Sequence, residues 1–234
     1  MRTPLLPVVL GLFALPLAAA VPASFHPCKS ADLPAGARCG SEPVGEDRDA
    51  KAGRKIDLNV VVLPATGSAP AADAVFFVSG GPGEAATEAA PDLAGDLAEL
   101  RKTRDIVFVD SRGTGHSHPL DCPLPGSPDD LQGYLHDLFP LEPLRACLPK
   151  LQEGANLALY STPIAMDDLD DVRAALGYER IDLIGASYGT EAVQVYLHRH
   201  PDRVRAIVLS GFSKIDSKTP LEHARHAQNA LDRL

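Results

Sequence analysis

The sequence predicts an α/β fold, in which a mostly parallel sheet carries helices on both faces. Short apolar runs that suit buried parallel strands recur along the chain, and segments with helical periodicity lie between them. From residue 55 onwards strand and helix alternate, which is the order found in parallel sheets built with crossover helices. These observations together predict the fold class.

Five segments are predicted to be strands. The first alternates and then becomes apolar, and the second is a short continuous apolar run. The last four are expected to be buried strands. The five lie at residues 56–63, 74–78, 106–109, 181–184 and 204–209.

Helical spacing predicts the elements between the strands. The predicted helices cover residues 85–102, 162–176, 186–200 and, at the end, about 220–234. Thr162 is interpreted as a cap of the second helix, because Pro163 suits a first helical position. Residues 119–159 are rich in proline and are interpreted as loop.

The composition indicates a globular protein that does not bind nucleic acid. The chain has 234 residues, a net charge of −9, 45% hydrophobic residues and 23% charged residues. Phosphate binding needs clustered positive charge, and the sequence contains no basic run. The size suits one domain, predicted to begin at residue 55 and to be preceded by an irregular arm at residues 21–54.

The first twenty residues are interpreted as a signal peptide. Arg2 supplies a small positive region, an apolar stretch follows, and three alanines at 18–20 fit a signal-peptidase site. The alternative is a membrane anchor, which four prolines between residues 4 and 22 disfavour. The protein is therefore expected to be exported to the periplasm or the extracellular space, with no stable membrane anchor after cleavage.

The four cysteines are interpreted as two disulfides. Four cysteines allow three connectivities, and proximity along the chain favours Cys28–Cys39 and Cys122–Cys147. The alternative is a metal site, but the sequence contains neither CxxC nor HExxH. No metal and no cofactor are therefore expected.

The strongest chemical signal is the G-x-S-x-G sequence at 185–189, which lies between a predicted strand and a predicted helix. In that setting Ser187 would lie on a strained strand-to-helix turn with its hydroxyl exposed. Gly185 and Gly189 would leave room where the turn is tightest. The alternative is an ordinary strand–helix turn or a phosphate loop, although the Walker and dinucleotide spacings are absent.

A second glycine-rich segment, S-G-G-P-G at 79–83, also follows a predicted buried strand. Backbone without side chains can bring an N–H close to an oxyanion. The amide of Gly81, or of its neighbour Gly80, together with that of Tyr188, would form an oxyanion hole. Gly83 completes the segment.

Together with D-S-R-G-T-G-H-S at 110–117, these motifs resemble the proline iminopeptidase and tripeptidyl-aminopeptidase group of α/β-hydrolases. The resemblance extends from about residue 55 to the end of the chain. It implies that Ser187 is the nucleophile, that Tyr188 and Gly81 donate to the oxyanion, and that Asp110 and Arg112 form a structural turn beside the site.

The resemblance also implies an activity, namely release of N-terminal residues or short peptides from a peptide with a free N-terminus through an acyl-enzyme. The residues alone support serine acyl transfer. Two alternatives remain open. The chain could be an esterase or lipase on the same scaffold, or a catalytically inactive fragment or binding module.

The base and acid that a catalytic serine needs are not recognised in the sequence. In α/β-hydrolases an acidic residue and then a histidine follow the serine. The chain is therefore expected to be the N-terminal portion of a longer enzyme, ending before the cap and the last strands, with the missing C-terminal half as a candidate partner. His116 and His118 are the only local substitutes. The acidic residues of the 162–176 helix are interpreted as favourable to the helix dipole: Asp167, Asp168, Asp170 and Asp171.

Overall fold

The computed structural model describes residue 22 and residues 24–50, 52–123, 125–126, 129–137, 140–216 and 218–233. The predicted signal peptide at residues 1–20 lies outside this part of the chain. Within the described residues, no helix has the length and apolar character needed to cross a membrane.

A seven-stranded sheet forms the centre of the molecule, in the order β1-β2-β3-β5-β4-β6-β7. The strands are β1 (His26–Pro27), β2 (Arg38–Gly45), β3 (Lys55–Leu63), β4 (Ala74–Val78), β5 (Ile106–Val109), β6 (Ile181–Ala186) and β7 (Val204–Ser210). The first three strands and β5 pair antiparallel. The pairs β5–β4, β4–β6 and β6–β7 are parallel, so these four strands end at the same edge of the sheet.

Helices cover both faces of the sheet, as predicted. They are α1 (Ala90–Asp96), α2 (Ala98–Arg101), α3 (Leu141–Gly154), α4 (Thr162–Ala175), α5 (Tyr188–Arg199) and α6 (Thr219–Leu231). On one face α4 and α5 bury residues such as Val172 and Tyr196 against Phe76 and Leu183. On the other face α1 and the 3-10 turn before it pack against Phe77 and other apolar strand residues. The predicted α/β architecture is confirmed.

The helix boundaries agree with the sequence patterns to within a few residues. The segment 85–102 is broken into a 3-10 turn at Ala86–Ala89, α1 and α2. Ser161, rather than Thr162, is the N-cap of α4, and Thr162 is its first residue. The prediction of this cap was wrong by one position, because two consecutive hydroxyl residues precede Pro163 and the pattern does not separate them.

The interpretation of residues 21–54 as an irregular arm is wrong for β2. This strand pairs with β3 over eight residues, from Arg38 opposite Val62 to Gly45 opposite Lys55. Its residues are mostly exposed or half-buried, so it lacks the apolar run or strict alternation that makes a strand recognisable. Its order comes from pairing with β3 rather than from its own composition.

The interpretation of residues 119–159 as loop is also wrong in part. Residues Leu141–Gly154 form the fourteen-residue helix α3, with Pro149 inside it. Only Cys147 is buried among the described side chains of this helix, and it forms a disulfide with Cys122. The prediction gave more weight to the proline content of the segment than to its weak helical pattern. In the structure, the disulfide holds this helix in place.

The fifth predicted strand is present as β7, but it is not buried as expected. Most of its residues are exposed, and Val208 retains 58% of its accessible surface. Strand β7 pairs with β6 on one side and is the last strand in the sheet order. An apolar run indicates a strand without telling which position in the sheet it takes.

Candidate active site

Ser187 lies on a strained turn between β6 and α5, at the carboxyl edge of the parallel strands. Its backbone angles are φ 52 and ψ −121, a conformation that residues other than glycine rarely adopt. The turn is held by a hydrogen bond from Ser187 N–H to Ser210 O at 2.9 Å and by one from Thr190 N–H to Ser187 O at 2.9 Å. The Ser187 side chain is exposed at the start of α5.

Two glycines allow this turn to pack against the rest of the sheet. A Cβ atom on Gly185 would lie 2.5 Å from Gly189 O, and one on Gly189 would lie 2.2 Å from Val78 O. Both contacts are with backbone, which cannot move aside as a flexible side chain would. The predicted role of these glycines in leaving room at the turn agrees with the geometry.

The segment after β4 lies beside Ser187. A Cβ atom on Gly80 would be 3.1 Å from Ser187 Cβ, so a side chain there would crowd the serine where the two loops meet. Gly81 has φ 98, which favours glycine. Gly80 N–H donates to Glu84 Oε2 at 3.1 Å, and Ser79 Oγ donates to Glu84 O at 2.8 Å. The segment therefore closes on itself as a short loop, which we call the glycine loop (residues 79–84).

Two backbone N–H groups near Ser187 remain without a partner. Among the described residues, the amides of Gly81 and Tyr188 have no hydrogen-bond acceptor. The amide of Gly80 is occupied by Glu84, which distinguishes the two candidates that the sequence left open. The roles assigned to Ser187, Tyr188 and Gly81 stay predictions. Gly80, the neighbour of Gly81 in the chain, is the residue of the glycine loop that lies against Ser187.

Asp110 organises the turn that follows β5. Its fully buried carboxylate accepts hydrogen bonds from Thr87 N–H at 2.8 Å, Thr87 Oγ1 at 2.9 Å and Asn59 Nδ2 at 3.0 Å. It also accepts from the His116 N–H at 3.2 Å. These contacts join the turn to β3 and to the 3-10 turn after the glycine loop.

Arg112 is the buried centre of a group of charged and polar side chains that we call the anchor cluster (Glu46, Arg48, Arg112, Tyr160 and Asp168). The Arg112 guanidinium pairs with Asp168 through Nε at 2.6 Å and Nη2 at 2.8 Å. It also donates to three backbone carbonyl oxygens, those of Gly45, Glu46 and Leu159. Arg112 is thereby saturated, and it links the turn after β5 to β2 and α4.

The remaining members of the anchor cluster complete this network. Arg48 Nη1 donates to Asp168 at 2.9 Å, and Tyr160 OH donates to Glu46 Oε1 at 3.1 Å. Burial raises the pKa of Asp168, and hydrogen bonds and charge from Arg112 and Arg48 offset part of that shift. Burial and the neighbouring Glu46 carboxylate raise the pKa of Tyr160 to about 12, so its hydroxyl remains a donor.

An open cleft of about 520 Å³ lies between the glycine loop, the turn after β5 and the start of α4. Its walls include residues of both predicted motifs and of the anchor cluster: Gly80, Glu84, Arg112, Tyr160, Thr162 and Tyr188. The Tyr188 hydroxyl forms a 2.6 Å hydrogen bond with Thr162 Oγ1, which fixes this ring at the wall of the cleft. The cleft opens beside the predicted nucleophile.

No histidine ring described by the structure forms a hydrogen bond with Ser187. His118 bonds Gly154 O at 3.1 Å and stacks near Tyr160, while the His116 side chain is exposed. His200 pairs with Asp167 at the far end of α5. Neither His116 nor His118 forms a hydrogen bond with Ser187 in this arrangement, and their role as local substitutes for a base stays a prediction.

Both predicted disulfides are confirmed, Cys28–Cys39 with its Cα atoms 5.0 Å apart and Cys122–Cys147 with its Cα atoms 5.8 Å apart. The first joins β2 to the segment after β1, and the second tethers α3. In the described part of the chain, no group of three or more His, Cys, Asp or Glu side chains is arranged to hold a metal ion.

Sequence reasoning missed several residues around the cleft. Asp168 was grouped with acids that favour a helix dipole, but it is the seventh residue of α4, is buried and pairs with Arg112. Glu84 and Thr162 carried no signal of their own. A usable signal for Asp168 was its place on the apolar face of α4, between Met166 and Leu169, where an acid needs a buried partner.

Comparison with known proteins agrees with this geometry. The family model for the alpha/beta hydrolase fold matches residues 73–232, which is more than half of the chain. The chain belongs to the α/β-hydrolase family. This hydrolase chain is 33% identical over 208 residues to the serine protease Hip1 of Mycobacterium tuberculosis, a match that covers 81% of the chain. It is 31% identical over 195 residues, 76% of the chain, to a tripeptidyl aminopeptidase of Streptomyces lividans.

A third relative is the proline iminopeptidase of Neisseria gonorrhoeae, which is 27% identical over 137 residues and covers 58% of the hydrolase chain. The resemblance to the proline iminopeptidase and tripeptidyl-aminopeptidase group is thus confirmed. The matches cover 39% of Hip1, 36% of the Streptomyces enzyme and 32% of the Neisseria enzyme. The chain therefore spans about two-fifths of the length of the curated relatives it matches.

Proposed function

We propose that the protein is an exported serine hydrolase that releases N-terminal residues or short peptides from a peptide through an acyl-enzyme. One observation carries the proposal: Ser187 is exposed on a strained turn between β6 and α5 and lies against the glycine loop, and the amides of Gly81 and Tyr188 have no acceptor among the described residues. This combination is what a nucleophile and an oxyanion hole require.

In the proposed reaction the Ser187 hydroxyl oxygen attacks the acyl carbon of the substrate and gives its proton to a base. The tetrahedral oxyanion accepts hydrogen bonds from the amides of Gly81 and Tyr188, and the N-terminus of α5 adds a favourable dipole. The leaving amine takes up the proton, and water then hydrolyses the ester of Ser187. Among the described residues, no side chain forms a hydrogen bond with the Ser187 hydroxyl, and the proposal assigns the base to none of them.

The peptide preference and the export are supported by different observations. Relatives that cover most of the chain are named as a serine protease and a tripeptidyl aminopeptidase. Export is supported by the predicted signal peptide and by two disulfides, which persist in oxidising compartments.

Labelling with a fluorophosphonate probe tests the nucleophile. We expect Ser187 to be labelled in the protein at its full natural length, and Ser187→Ala to abolish labelling and lower turnover at least about a thousandfold. Ser41→Ala, which changes an exposed serine on β2, is the matched control and should behave as wild type. Labelling that survives Ser187→Ala would overturn the proposal, and a folded protein that is never labelled would favour a binding module.

Substrate competition separates a peptidase from an esterase on the same scaffold. Aminoacyl nitroanilides with a free amino group and simple nitrophenyl esters are hydrolysed side by side, and the two values of kcat/KM are compared. We expect both to depend on Ser187 and the amide substrates to be turned over. Turnover of esters alone would assign the chain to the esterases.

A further inference from the structure

We propose that the carboxylate of Glu84 is a binding subsite for a positively charged group next to the acyl carbon, the free α-ammonium group of the residue that acylates Ser187. The proposal rests on the proposed function and deepens it. It predicts release of single N-terminal residues in preference to tripeptides.

Glu84 is held close to the predicted nucleophile by the fold of the glycine loop. Its Oε2 atom accepts from Gly80 N–H at 3.1 Å. The point that a Cβ atom on Gly80 would occupy lies 3.1 Å from Glu84 Oε2 and 3.1 Å from Ser187 Cβ. The carboxylate and the serine are therefore separated by little more than the space of one missing side-chain carbon.

The negative charge of Glu84 has no counterion in the part of the chain that the structure describes. Glu84 is exposed to the cleft, its Oε1 atom accepts no hydrogen bond, and no ion pair includes it. Arg112 lines the same cleft, but Asp168 and three carbonyl oxygens occupy its guanidinium. The cleft thus offers an uncompensated carboxylate beside Ser187, which favours a cationic ligand.

The short distance between Glu84 and Ser187 determines which ammonium group of an acylating substrate can reach the carboxylate. In a substrate with a free N-terminus, the ammonium nitrogen is two bonds from the carbonyl carbon of the first residue. In a tripeptide released from the same serine, the ammonium lies two residues farther away, about 7 Å at the rise of an extended chain. A carboxylate next to the nucleophile therefore suits the shorter acyl group.

Glu84 also has a second effect that the test must separate. Its bond to Gly80 N–H holds the glycine loop, so loss of the side chain would disturb the oxyanion amide of Gly81 for every substrate. Glu84→Gln keeps a carbonyl acceptor for Gly80 and removes the charge, whereas Glu84→Ala removes both. Glu88→Gln neutralises an exposed acid four residues away, on the 3-10 turn, and is the matched control.

The first experiment measures kcat/KM of the protein at its full natural length for alanine nitroanilide, N-acetylalanine nitroanilide and trialanine nitroanilide. We expect Glu84→Gln to lower the value for alanine nitroanilide about tenfold, as for a charge pair in a partly desolvated site. The value for the acetylated substrate and the rate of fluorophosphonate labelling should stay within about twofold of wild type. An unchanged value for alanine nitroanilide, or an equal fall for both substrates, would overturn the subsite.

A second experiment needs no turnover. Binding of alaninamide to the 234-residue chain carrying Ser187→Ala is measured by calorimetry or NMR, with N-acetylalaninamide as the uncharged comparison. We expect alaninamide to bind, the acetylated compound to bind at least about tenfold more weakly, and Glu84→Gln to remove the difference. If the two compounds bind equally, the subsite proposal fails even where Ser187 labelling supports the proposed function. If the two compounds differ in affinity but the fluorophosphonate does not label Ser187, the proposed function fails and the binding subsite for the ammonium group stands.

Discussion

The glycine loop and two members of the anchor cluster, Arg112 and Tyr160, line one cleft, and the polar groups of the two regions differ in whether they have partners. Around Ser187, the amides of Gly81 and Tyr188 have no acceptor among the described residues, and Glu84 has no counterion. In the anchor cluster, the guanidinium of Arg112 is occupied by a carboxylate and three carbonyl oxygens. Polar groups without partners are available to a ligand, whereas groups with partners fix the wall that faces it.

The two regions also differ in how they contribute to stability. Ser187 adopts a conformation that costs folding free energy, on the order of 1–3 kcal/mol. The ion pairs of the anchor cluster join the segment after β2, the turn after β5 and α4, so these side chains hold separate elements together. Changes in the cluster should therefore affect stability, and changes at the serine should affect chemistry.

The largest expected effect on stability is that of Asp168→Ala. It leaves the buried Arg112 guanidinium without its carboxylate, which should lower the free energy of unfolding by about 3–5 kcal/mol. Asp171→Ala is the matched control, because Asp171 pairs with the same Arg48 but its side chain is 43% exposed. That variant should lose less than about 1 kcal/mol in urea unfolding. Equal losses for the two variants would remove the distinction between cluster and surface.

An intermediate effect is expected from the double variant Cys122→Ser with Cys147→Ser. The disulfide closes a loop with a sequence separation of 25, and its loss should lower the free energy of unfolding by about 3 kcal/mol. Leu120, two residues from Cys122, lines the cleft. The turn at Ser187 is held by hydrogen bonds with Ser210 and Thr190. Denaturation curves should therefore shift while the rate of Ser187 labelling at low temperature does not. A parallel fall in labelling would show that the cleft walls are not independent.

The smallest effect, and one of opposite sign, is expected from Ser187→Gly. Glycine adopts a positive φ without the steric cost of a Cβ atom, so the variant should be more stable than Ser187→Ala by about 1 kcal/mol. Both variants lose the nucleophile and should be equally unreactive towards the fluorophosphonate. Equal stability of the two in urea unfolding would indicate that the turn stores no strain.

Much of the fold and part of the site could be predicted because the deciding signals are local. Strand β4 could be predicted from its apolar run. The turn at Ser187 could be predicted from its two flanking glycines and from the helical pattern that follows them. Strand β2 and helix α3 could not be predicted, since one is ordered by pairing with β3 and the other is held by a disulfide between distant residues.

The contacts that make the site specific were also beyond the sequence patterns. Glu84 lies directly after the glycine motif, but nothing local indicates that its carboxylate bonds back to Gly80. Asp168 and Arg112 are separated by 56 positions along the chain, and only the packing of α4 against the turn after β5 brings them together.

The order of the strands has a consequence for how the chain reaches this arrangement. The glycine loop follows β4 and the turn at Ser187 follows β6. These two strands pair directly although about a hundred residues lie between them. The entropy lost in closing so long a loop is regained only when both strands are in place, which slows folding. The Cys122–Cys147 bond lies within that span and shortens the free chain. The order in which oxidation and strand pairing occur should therefore affect how quickly the glycine loop comes to lie against Ser187.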